Sequence, residues 1–324
     1  MSPPEPAADD GPPFDAGVSG QGYLWHYLDA VSHDGRYAIV IIAMVGNPFS
    51  PRYARARARG HADPLEHCAM NVALYGDDLR RVWTLDEHRV LPQQRSRDAI
   101  EIARSSMRRE HGRIVVELDA RTTPISPRRR RSLRGRVTLH VESAPRLRLA
   151  IDEDAHHHWW PIAPLAHVEV ELDEPSLQFR GHGYHDANAG DIALEASFST
   201  WGWSRARLRD RACLTYDVTQ IDGRQRAHAF TVASTGAIEP LEHTELVTMP
   251  RGFWGVERTA RVDAGAELSL LRSLEDGPFY TRELVRTALA GEPVIAMHES
   301  LAAHRLRRAW VRWCVAQRMR VAPR

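Results

Sequence analysis

Two clusters of titratable and aromatic side chains lie close together in one stretch of the sequence. The first is His-His-His-Trp-Trp at residues 156–160, and the second is Gly-His-Gly-Tyr-His-Asp at residues 181–186. Carboxyl, imidazole and phenol groups can donate and accept protons, and indole rings can form the apolar wall of a pocket. If the clusters share one pocket, they favour acid–base chemistry there.

The segment between the clusters predicts that they do meet. It reads as one strand and a turn, and a hairpin of that length returns to the same edge of its sheet. We therefore expect His158 and Trp160 to lie near Tyr184 and Asp186. The alternative is structural: tryptophans that fill the end of a barrel and histidines at the start of a strand. The second cluster makes this alternative less favoured.

Metal binding is a further interpretation of the same histidines. Residues 156–158 with His182, His185 and Asp186 could supply ligands, but their spacing matches no metal motif such as HExxH. Adjacent residues on a strand also point to opposite faces, so the three histidines cannot bind one ion. The sequence contains neither a Gly-rich nucleotide loop nor a GxSxG motif. We expect no metal and no cofactor, which leaves acid–base catalysis or simple binding.

Composition excludes several classes of protein. The 324 residues carry 43 basic and 42 acidic side chains, so nothing indicates nucleic-acid binding. Every basic residue is arginine, which excludes Schiff-base chemistry on lysine. The three cysteines are far apart, which favours a reducing compartment. The longest apolar run, residues 37–45, is too short to span a membrane, and no signal peptide is recognisable, so a cytoplasmic location is expected.

The elements that position the clusters are predicted to be strands. Many short apolar or alternating stretches, about ten residues apart, predict an all-β, mostly antiparallel fold. Residues 1–18 are acidic and rich in proline, which predicts a disordered tail. The two halves that follow, residues 19–160 and 161–298, are each long enough for a β-barrel that encloses one elongated apolar ligand.

The C-terminal segment, residues 299–324, has a different character. It contains no acidic residue after Glu299. As a helix, it would have one apolar and one basic face, formed by Leu306, Trp310 and Trp313 and by Arg305, Arg308 and Arg312. This pattern predicts a basic amphipathic helix on an anionic membrane surface. The alternative is an ordinary terminal helix that packs on the protein.

Seven motifs together resemble one family, the carotenoid 1,2-hydratases, also called hydroxyneurosporene synthases. The resemblance covers nearly the whole chain from residue 21 to residue 301. The motifs are GYLWHYLDAVSHDGRYAIVIIAMVGNPFSP, DPLEHCAMNVALYG, HHWWPIAP, GHGYHDANAGD, WGWSRA, LEDGPFYTR and VIAMHESL.

The resemblance implies two lipocalin-like β-barrel domains in tandem and the addition of water to the terminal C1–C2 double bond of an acyclic carotenoid, such as neurosporene or lycopene. It implies that no redox cofactor is consumed. The family's functional H-x-W and Y-x-D patterns would fall on His158, Trp160, Tyr184 and Asp186. A carotenoid dissolves in a bilayer, so peripheral association with the inner or intracytoplasmic membrane is expected.

These residues suit the implied chemistry. A buried carboxyl group keeps its proton, so Asp186 is the expected acid that protonates C2. Ring faces of Trp160 and Tyr184 would stabilise the cation at C1, and His158 would accept the proton of the attacking water. The roles of His158 and Asp186 could be exchanged. Further side chains expected to bind the substrate are Trp159, His182 and His185.

Two other functions remain open at this point. One is a lipocalin-like carrier that binds a hydrophobic pigment without changing it. The other is a hydratase or isomerase that acts on a different terpenoid.

Overall fold

A computed structural model of the protein describes residues 10–79, 81–122 and 131–321. In these residues the chain forms antiparallel β-structure with three short α-helices, so the expected all-β fold is confirmed. The helices are α1 (Pro51–Ala58), α2 (Leu194–Ser197) and α3 (Ala309–Arg318), and 3-10 turns occur at Pro64–His67, Pro92–Gln94 and Ala303–Arg307.

The larger of two main sheets contains most of the N-terminal strands. They are β1 (Tyr23–Ser32), β2 (Tyr37–Val45), β3 (Cys68–Gly76), β4 (Val82–His88), β5 (Arg95–Ser96), β6 (Ala99–Ile102), β7 (Ser105–Glu110), β8 (Arg113–Arg121), β9 (Ser132–Ser143), β10 (Leu149–Ala150), β11 (His157–Glu174) and β12 (Leu177–Gly190). Their order is β4-β3-β2-β1-β12-β11-β9-β8-β7-β6-β5, and β10 pairs with β11.

The smaller sheet and a separate hairpin follow in the chain. The strands are β13 (Phe198–Arg207), β14 (Arg211–Gln220), β15 (Gln225–Ala233), β16 (Ile238–Pro240), β17 (Thr244–Met249), β18 (Arg258–Asp263), β19 (Ser269–Asp276), β20 (Tyr280–Leu289) and β21 (Glu292–Leu301). The smaller sheet has the order β16-β15-β14-β13-β21-β20-β19, while β17 pairs with β18. The last strand, β22 (Arg320–Val321), returns to the larger sheet and pairs in parallel with β4.

Strand β1 separates two apolar cores because its alternate side chains are buried on both faces. Leu28 belongs to an aliphatic core that also contains Met70 of β3 and Met107 of β7, so the larger sheet curls around that core. Tyr23 and Trp25 belong to a second core, which the two sheets share. The interior of the larger sheet is therefore packed with side chains, and the aromatic residues of β1 face the smaller sheet.

Three boundaries differ from the sequence-based expectations. Phe14, expected in a disordered tail, is fully buried and packs on His26, with ring centroids 4.2 Å apart. Strands β11 and β12 both belong to the larger sheet, so the chain passes to the smaller sheet after Gly190, not after Trp160. The expected C-terminal helix is shorter, since β21 continues to Leu301 and α3 ends at Arg318. Residues 1–9 lie outside the described part of the chain.

A buried ion pair joins the two sheets. Asp29 of β1 accepts two hydrogen bonds from the guanidinium group of Arg205 on β13, one of them from Nε at 3.2 Å. Asp29 is fully buried and Arg205 is almost so. Loss of one member would leave the other charge in an apolar surrounding without its partner.

We expect Asp29→Asn to lower the free energy of unfolding by about 3–5 kcal/mol, because Arg205 would stay buried and charged. A matched control is Asp154→Asn, which removes an exposed pair with Arg224 and should cost less than about 1 kcal/mol. Urea unfolding of the two variants measures the difference. Equal losses in both variants would contradict the role of the buried pair.

Candidate active site

A cavity of about 310 Å³ lies between the two sheets. The larger sheet contributes Trp25, Tyr27 and Asp186, and the smaller sheet contributes Trp203 and Glu299. Further lining side chains come from both sheets and from α3: Asn188, Trp201, Tyr216, Arg282 and Val315. The expected ligand space inside a barrel is thus corrected: the cavity lies between the sheets.

Asp186 is the buried carboxyl group of this cavity. Its Oδ2 accepts two hydrogen bonds, from Nε1 of Trp159 and from the hydroxyl of Tyr184, each 2.8 Å long. Its Oδ1 is buried and has no hydrogen-bond partner among the described residues. One oxygen is therefore held by two donors, and the two oxygens differ in their hydrogen bonding.

Strand pairing brings these groups together. Tyr184, Asp186 and Asn188 alternate along β12, so their side chains share one face. Trp159 of β11 pairs with Asn188, and Tyr27 of β1 pairs with Asp186. Both neighbouring strands therefore present an aromatic side chain on the face that carries the carboxyl group.

Burial raises the pKa of Asp186 to about 8. The hydrogen bonds from Trp159 and Tyr184 act in the opposite direction because they stabilise the carboxylate, while the negative charges of Glu299 and Asp29 raise the pKa further. At neutral pH the group is mostly protonated. Because Oδ2 accepts both hydrogen bonds, the proton belongs on Oδ1.

Aromatic rings form the wall around this acid. Trp203 contacts Tyr184 and Tyr27, with ring centroids 5.1 and 5.4 Å away. Trp201 contacts Trp25 and Tyr216 at 6.1 and 5.9 Å. Faces of such rings attract a cation, and the attraction is strongest where water is excluded.

Two charged groups of the cavity, Glu299 and Arg282, are paired with each other. Glu299 Oε1 accepts hydrogen bonds from the hydroxyl of Tyr27 at 2.8 Å and from Nε of Arg282 at 2.7 Å. Arg282 also donates to the hydroxyl of Tyr75 at 2.8 Å. The described residues contain no group of three His, Cys, Asp or Glu side chains arranged to bind a metal ion.

Comparison with known proteins places the chain in a family. Residues 41–324 match the family described as carotenoid hydratase CrtC. This chain belongs to the carotenoid hydratase family. It is 40% identical to the acyclic carotenoid 1,2-hydratase of Thiocapsa roseopersicina, over 91% of this chain and 72% of that protein. The corresponding hydratase of Rubrivivax gelatinosus is 39% identical, over 95% of this chain and 75% of that protein.

Solved structures share the fold at low sequence identity. A protein of Nitrosomonas europaea described as AttH covers 94% of this chain and 99% of its own length, with a TM-score of 0.59 and 15% identity. Kievitone hydratase from Nectria haematococca covers 91% of this chain and 98% of its own, with a TM-score of 0.54 and 11% identity. At these identities the likeness concerns the fold alone.

The first cluster meets Asp186 through a different residue from the ones expected. His-His-His-Trp-Trp contains two overlapping matches, and strand alternation puts Trp159 on the face of Asp186 but His158 and Trp160 on the opposite face. There His158 contacts Nη2 of Arg148 at 3.1 Å, and the Arg148 guanidinium lies over the Trp160 ring. The expected meeting of His158 and Trp160 with Asp186 is therefore wrong.

His157 belongs to the same face as Trp159. Its Nδ1 lies 2.9 Å from the hydroxyl of Tyr23, and its Nε2 lies 2.9 Å from Oγ of Ser197. Burial lowers the pKa of His157 to about 3, so its ring is neutral. It positions Tyr23 and the start of β11, and it does not line the cavity.

The two histidines expected to bind substrate lie elsewhere in the structure. His185 points into the larger sheet, where Nδ1 donates to the carbonyl of Tyr27 at 2.8 Å and the ring stacks on His26. His182 contacts the rings of His33 and His167 at the outer end of β12. Neither lines the cavity, so both placements are corrected. Trp159, also expected to bind substrate, instead holds Asp186.

Several cavity residues were not predicted as site residues. Trp201, Trp203 and Glu299 stand in motifs that carry the family resemblance, but they are far from the two clusters in sequence. Trp25 and Tyr27 belong to a period-two aromatic run, which indicates only that one face of β1 is aromatic. The packing of one sheet against the other brings these residues to Asp186, and no local sequence pattern predicts it.

The raised pKa of Asp186 should make folding depend on pH. The folded protein keeps this proton up to about pH 8, whereas the unfolded chain releases it near pH 4. Between these values the unfolded state binds fewer protons, so stability falls as the pH rises. The Asp186→Asn variant has no carboxyl group at this position, so it should not lose stability in this way as the pH rises. We expect the variant to equal the wild type near pH 4 and to exceed it by on the order of 3–5 kcal/mol at pH 8.

Guanidinium unfolding of both proteins at pH 4.5, 6 and 8 would measure this difference. Other titrating groups are common to the two proteins and cancel in the comparison. A difference that stays constant with pH would contradict the raised pKa.

Proposed function

We propose that this protein adds water across the terminal C1–C2 double bond of an acyclic carotenoid, such as neurosporene or lycopene, and that Asp186 is the acid. The observation that carries the proposal is a buried carboxyl group in an aromatic cavity, with one oxygen that has no hydrogen-bond partner among the described residues. Burial raises its pKa to about 8, which favours the protonated form at neutral pH. Membership in the carotenoid hydratase family supports the substrate class, and its relatives come from phototrophic bacteria.

In the first step, Asp186 transfers the proton of Oδ1 to C2. The π electrons of the double bond form the new C2–H bond, and the positive charge stays on C1, the more substituted carbon. Rings of Trp201, Trp203 and Tyr27 border the cavity and can stabilise this charge. Trp159 and Tyr184 meanwhile stabilise the new carboxylate, because their hydrogen bonds to Oδ2 favour its charged form.

In the second step, a water oxygen bonds to C1 and loses one proton. The Asp186 carboxylate accepts this proton, which restores the acid for the next turnover. The sum of the two steps is the addition of one water, with no oxidant or reductant. His158 acts neither as the acid nor as the base in these steps, since it lies on the opposite face of the sheet.

The cavity suits one end of a long polyene. Its volume of about 310 Å³ is at the lower limit of pockets that enclose a drug-sized ligand. We therefore propose that the terminal isoprene units enter and that the remaining chain extends through the mouth. Three of the lining residues, Trp254, Pro278 and Phe279, are themselves partly exposed, so we place the mouth beside them.

A carrier for a hydrophobic pigment is the less favoured function. A carrier needs an apolar cavity but gains nothing from an ionisable group buried at a cost in stability. The two hydrogen bonds to one oxygen of Asp186 orient a proton, which binding alone does not require.

Peripheral association with a membrane is also part of the proposal. Acyclic carotenoids are apolar and dissolve in the acyl region of a bilayer, so the protein must reach the membrane surface. Of the helices in the described residues, none has both the length and the apolar character of a membrane-spanning segment.

We expect Asp186→Asn to bind lycopene but to lose at least about 10³-fold in turnover, because the amide cannot donate a proton of comparable acidity. His158→Gln is the matched control and should keep turnover within about threefold, since His158 lies on the other face. Chromatography and mass spectrometry of the hydrated product measure both rates. Normal turnover by Asp186→Asn, or an inactive His158→Gln that is folded, would contradict the assignment.

The rate should also depend on the protonation of Asp186. We expect kcat/KM to fall as the pH rises above about 8. Tyr184→Phe removes a donor that stabilises the carboxylate, so the fall should move to higher pH and the plateau rate should decrease. The pH–rate profiles of both proteins test this. An unshifted profile in Tyr184→Phe would show that the hydrogen bond does not set the acidity.

A further inference from the structure

Four large aromatic side chains lie at or near the mouth of the cavity and are exposed to solvent, and one of them, Trp254, also lines the cavity. We call them the aromatic rim: Phe253 is 89% exposed, Trp254 38%, Trp310 42% and Trp313 64%. The first two belong to the loop between β17 and β18, and the other two belong to α3. Trp254 and Trp310 stack with ring centroids 5.9 Å apart, so segments distant in sequence form one surface.

Arg305 fixes this surface to the cavity mouth. Its guanidinium group donates hydrogen bonds to the carbonyl oxygens of Trp254 at 2.8 Å, Gly255 at 2.7 Å and Pro278 at 3.0 Å. Trp254 and Pro278 both line the cavity. A large surface that binds the aromatic rim would therefore also lie over the mouth of the cavity.

The charges next to the rim are mostly positive. No acidic residue follows Glu299, and Arg307 and Arg308 precede α3 with exposed side chains. Two acidic side chains lie beside Phe253, and each is paired with an arginine. Glu257 pairs with Arg251, and Asp276, which accepts a hydrogen bond from the backbone N–H of Phe253, pairs with Arg258. Exposed aromatic rings beside arginines are the pattern of a protein surface that enters the headgroup region of an anionic bilayer.

We propose that the aromatic rim docks on a lipid bilayer that carries anionic headgroups and places the cavity entrance against the membrane. This inference rests on the proposed function in one respect: it supplies the route by which an apolar polyene end passes from the acyl region to Asp186 without crossing water. The expected C-terminal membrane helix is thereby revised. Helix α3 buries Val311 and Val315 in the protein and offers only its two tryptophans to the bilayer.

The test measures binding to vesicles of phosphatidylcholine, with and without phosphatidylglycerol. It compares the wild type with the double variant Phe253→Ser/Trp313→Ser. Neither residue lines the cavity. We expect the double variant to bind vesicles at least about tenfold more weakly, because two large apolar side chains no longer leave water. Ile295→Ser is the matched control, since Ile295 is 53% exposed on β21, and it should bind as the wild type does. Arg308→Gln should weaken binding only to the vesicles that contain phosphatidylglycerol.

Turnover separates this inference from the proposed function. With lycopene in detergent, the double variant should match the wild type; with lycopene in vesicles, it should be slower in proportion to its weaker binding. Absence of turnover in every protein and condition would contradict the proposed function. The vesicle-binding comparison would still test the docking proposal.

Two results would overturn the docking proposal. One is equal vesicle binding by the double variant and Ile295→Ser. The other is that the wild type sediments as a dimer and the double variant as a monomer, while the two proteins bind vesicles equally. The rim would then be an interface between two copies of the protein. Point substitutions are preferable to removal of the C-terminal segment, since Leu306, Val311 and Val315 are buried.

Discussion

Asp186 is buried and accepts two hydrogen bonds on one oxygen, while the other oxygen has no partner in the part of the chain that the structure describes. The rest of the site depends on this arrangement. Burial keeps the proton on the group at neutral pH, and the donors on Oδ2 direct that proton to Oδ1. The aromatic rings that bury the carboxyl group also present their faces to the developing cation. The same rings therefore raise the pKa of the acid and stabilise the carbocation that its proton creates.

The contacts that join the two sheets also set the electrostatics of this acid. Asp29 and Glu299 raise the pKa of Asp186 through their negative charges. Each has an arginine from the smaller sheet as its partner, Arg205 and Arg282 respectively. The cavity exists only where the sheets meet, so stability at this interface and acidity at Asp186 are coupled. Loosening the interface would admit water, lower the pKa and remove the proton that the reaction needs.

The sequence predicts the fold class and the shared face of Tyr184 and Asp186 because both depend on local patterns. Period-two alternation and frequent turns indicate antiparallel strands, and Tyr184-x-Asp186 places both groups on one face whatever the partner strand is. The prediction that His158 and Trp160 lie near Asp186 is wrong for a related reason. His-His-His-Trp-Trp fits the H-x-W pattern in two registers, and a shift of one residue reverses the face of every side chain. Only the pairing of Trp159 with Asn188 selects the correct register.

The remaining parts of the site arise from contacts between segments far apart in sequence. Trp203 and Glu299 reach the cavity through the packing of one sheet on the other, which no local pattern specifies. The burial of Phe14 is a similar case. Its segment has the composition of a disordered tail, yet Nε of Arg95 donates to its carbonyl oxygen at 2.8 Å and the Arg109 guanidinium lies over its ring.

The most direct test of the account is the titration of the Asp186 carboxyl group itself. Protein labelled with carbon-13 at the aspartate carboxyl carbons, compared with the Asp186→Asn variant, identifies its NMR signal and follows it from pH 4 to pH 10. We predict a midpoint near pH 8, with the protonated form present at neutral pH. A midpoint close to pH 4, the ordinary value for an aspartate, would mean that Asp186 is ionised in the resting protein and does not supply the proton.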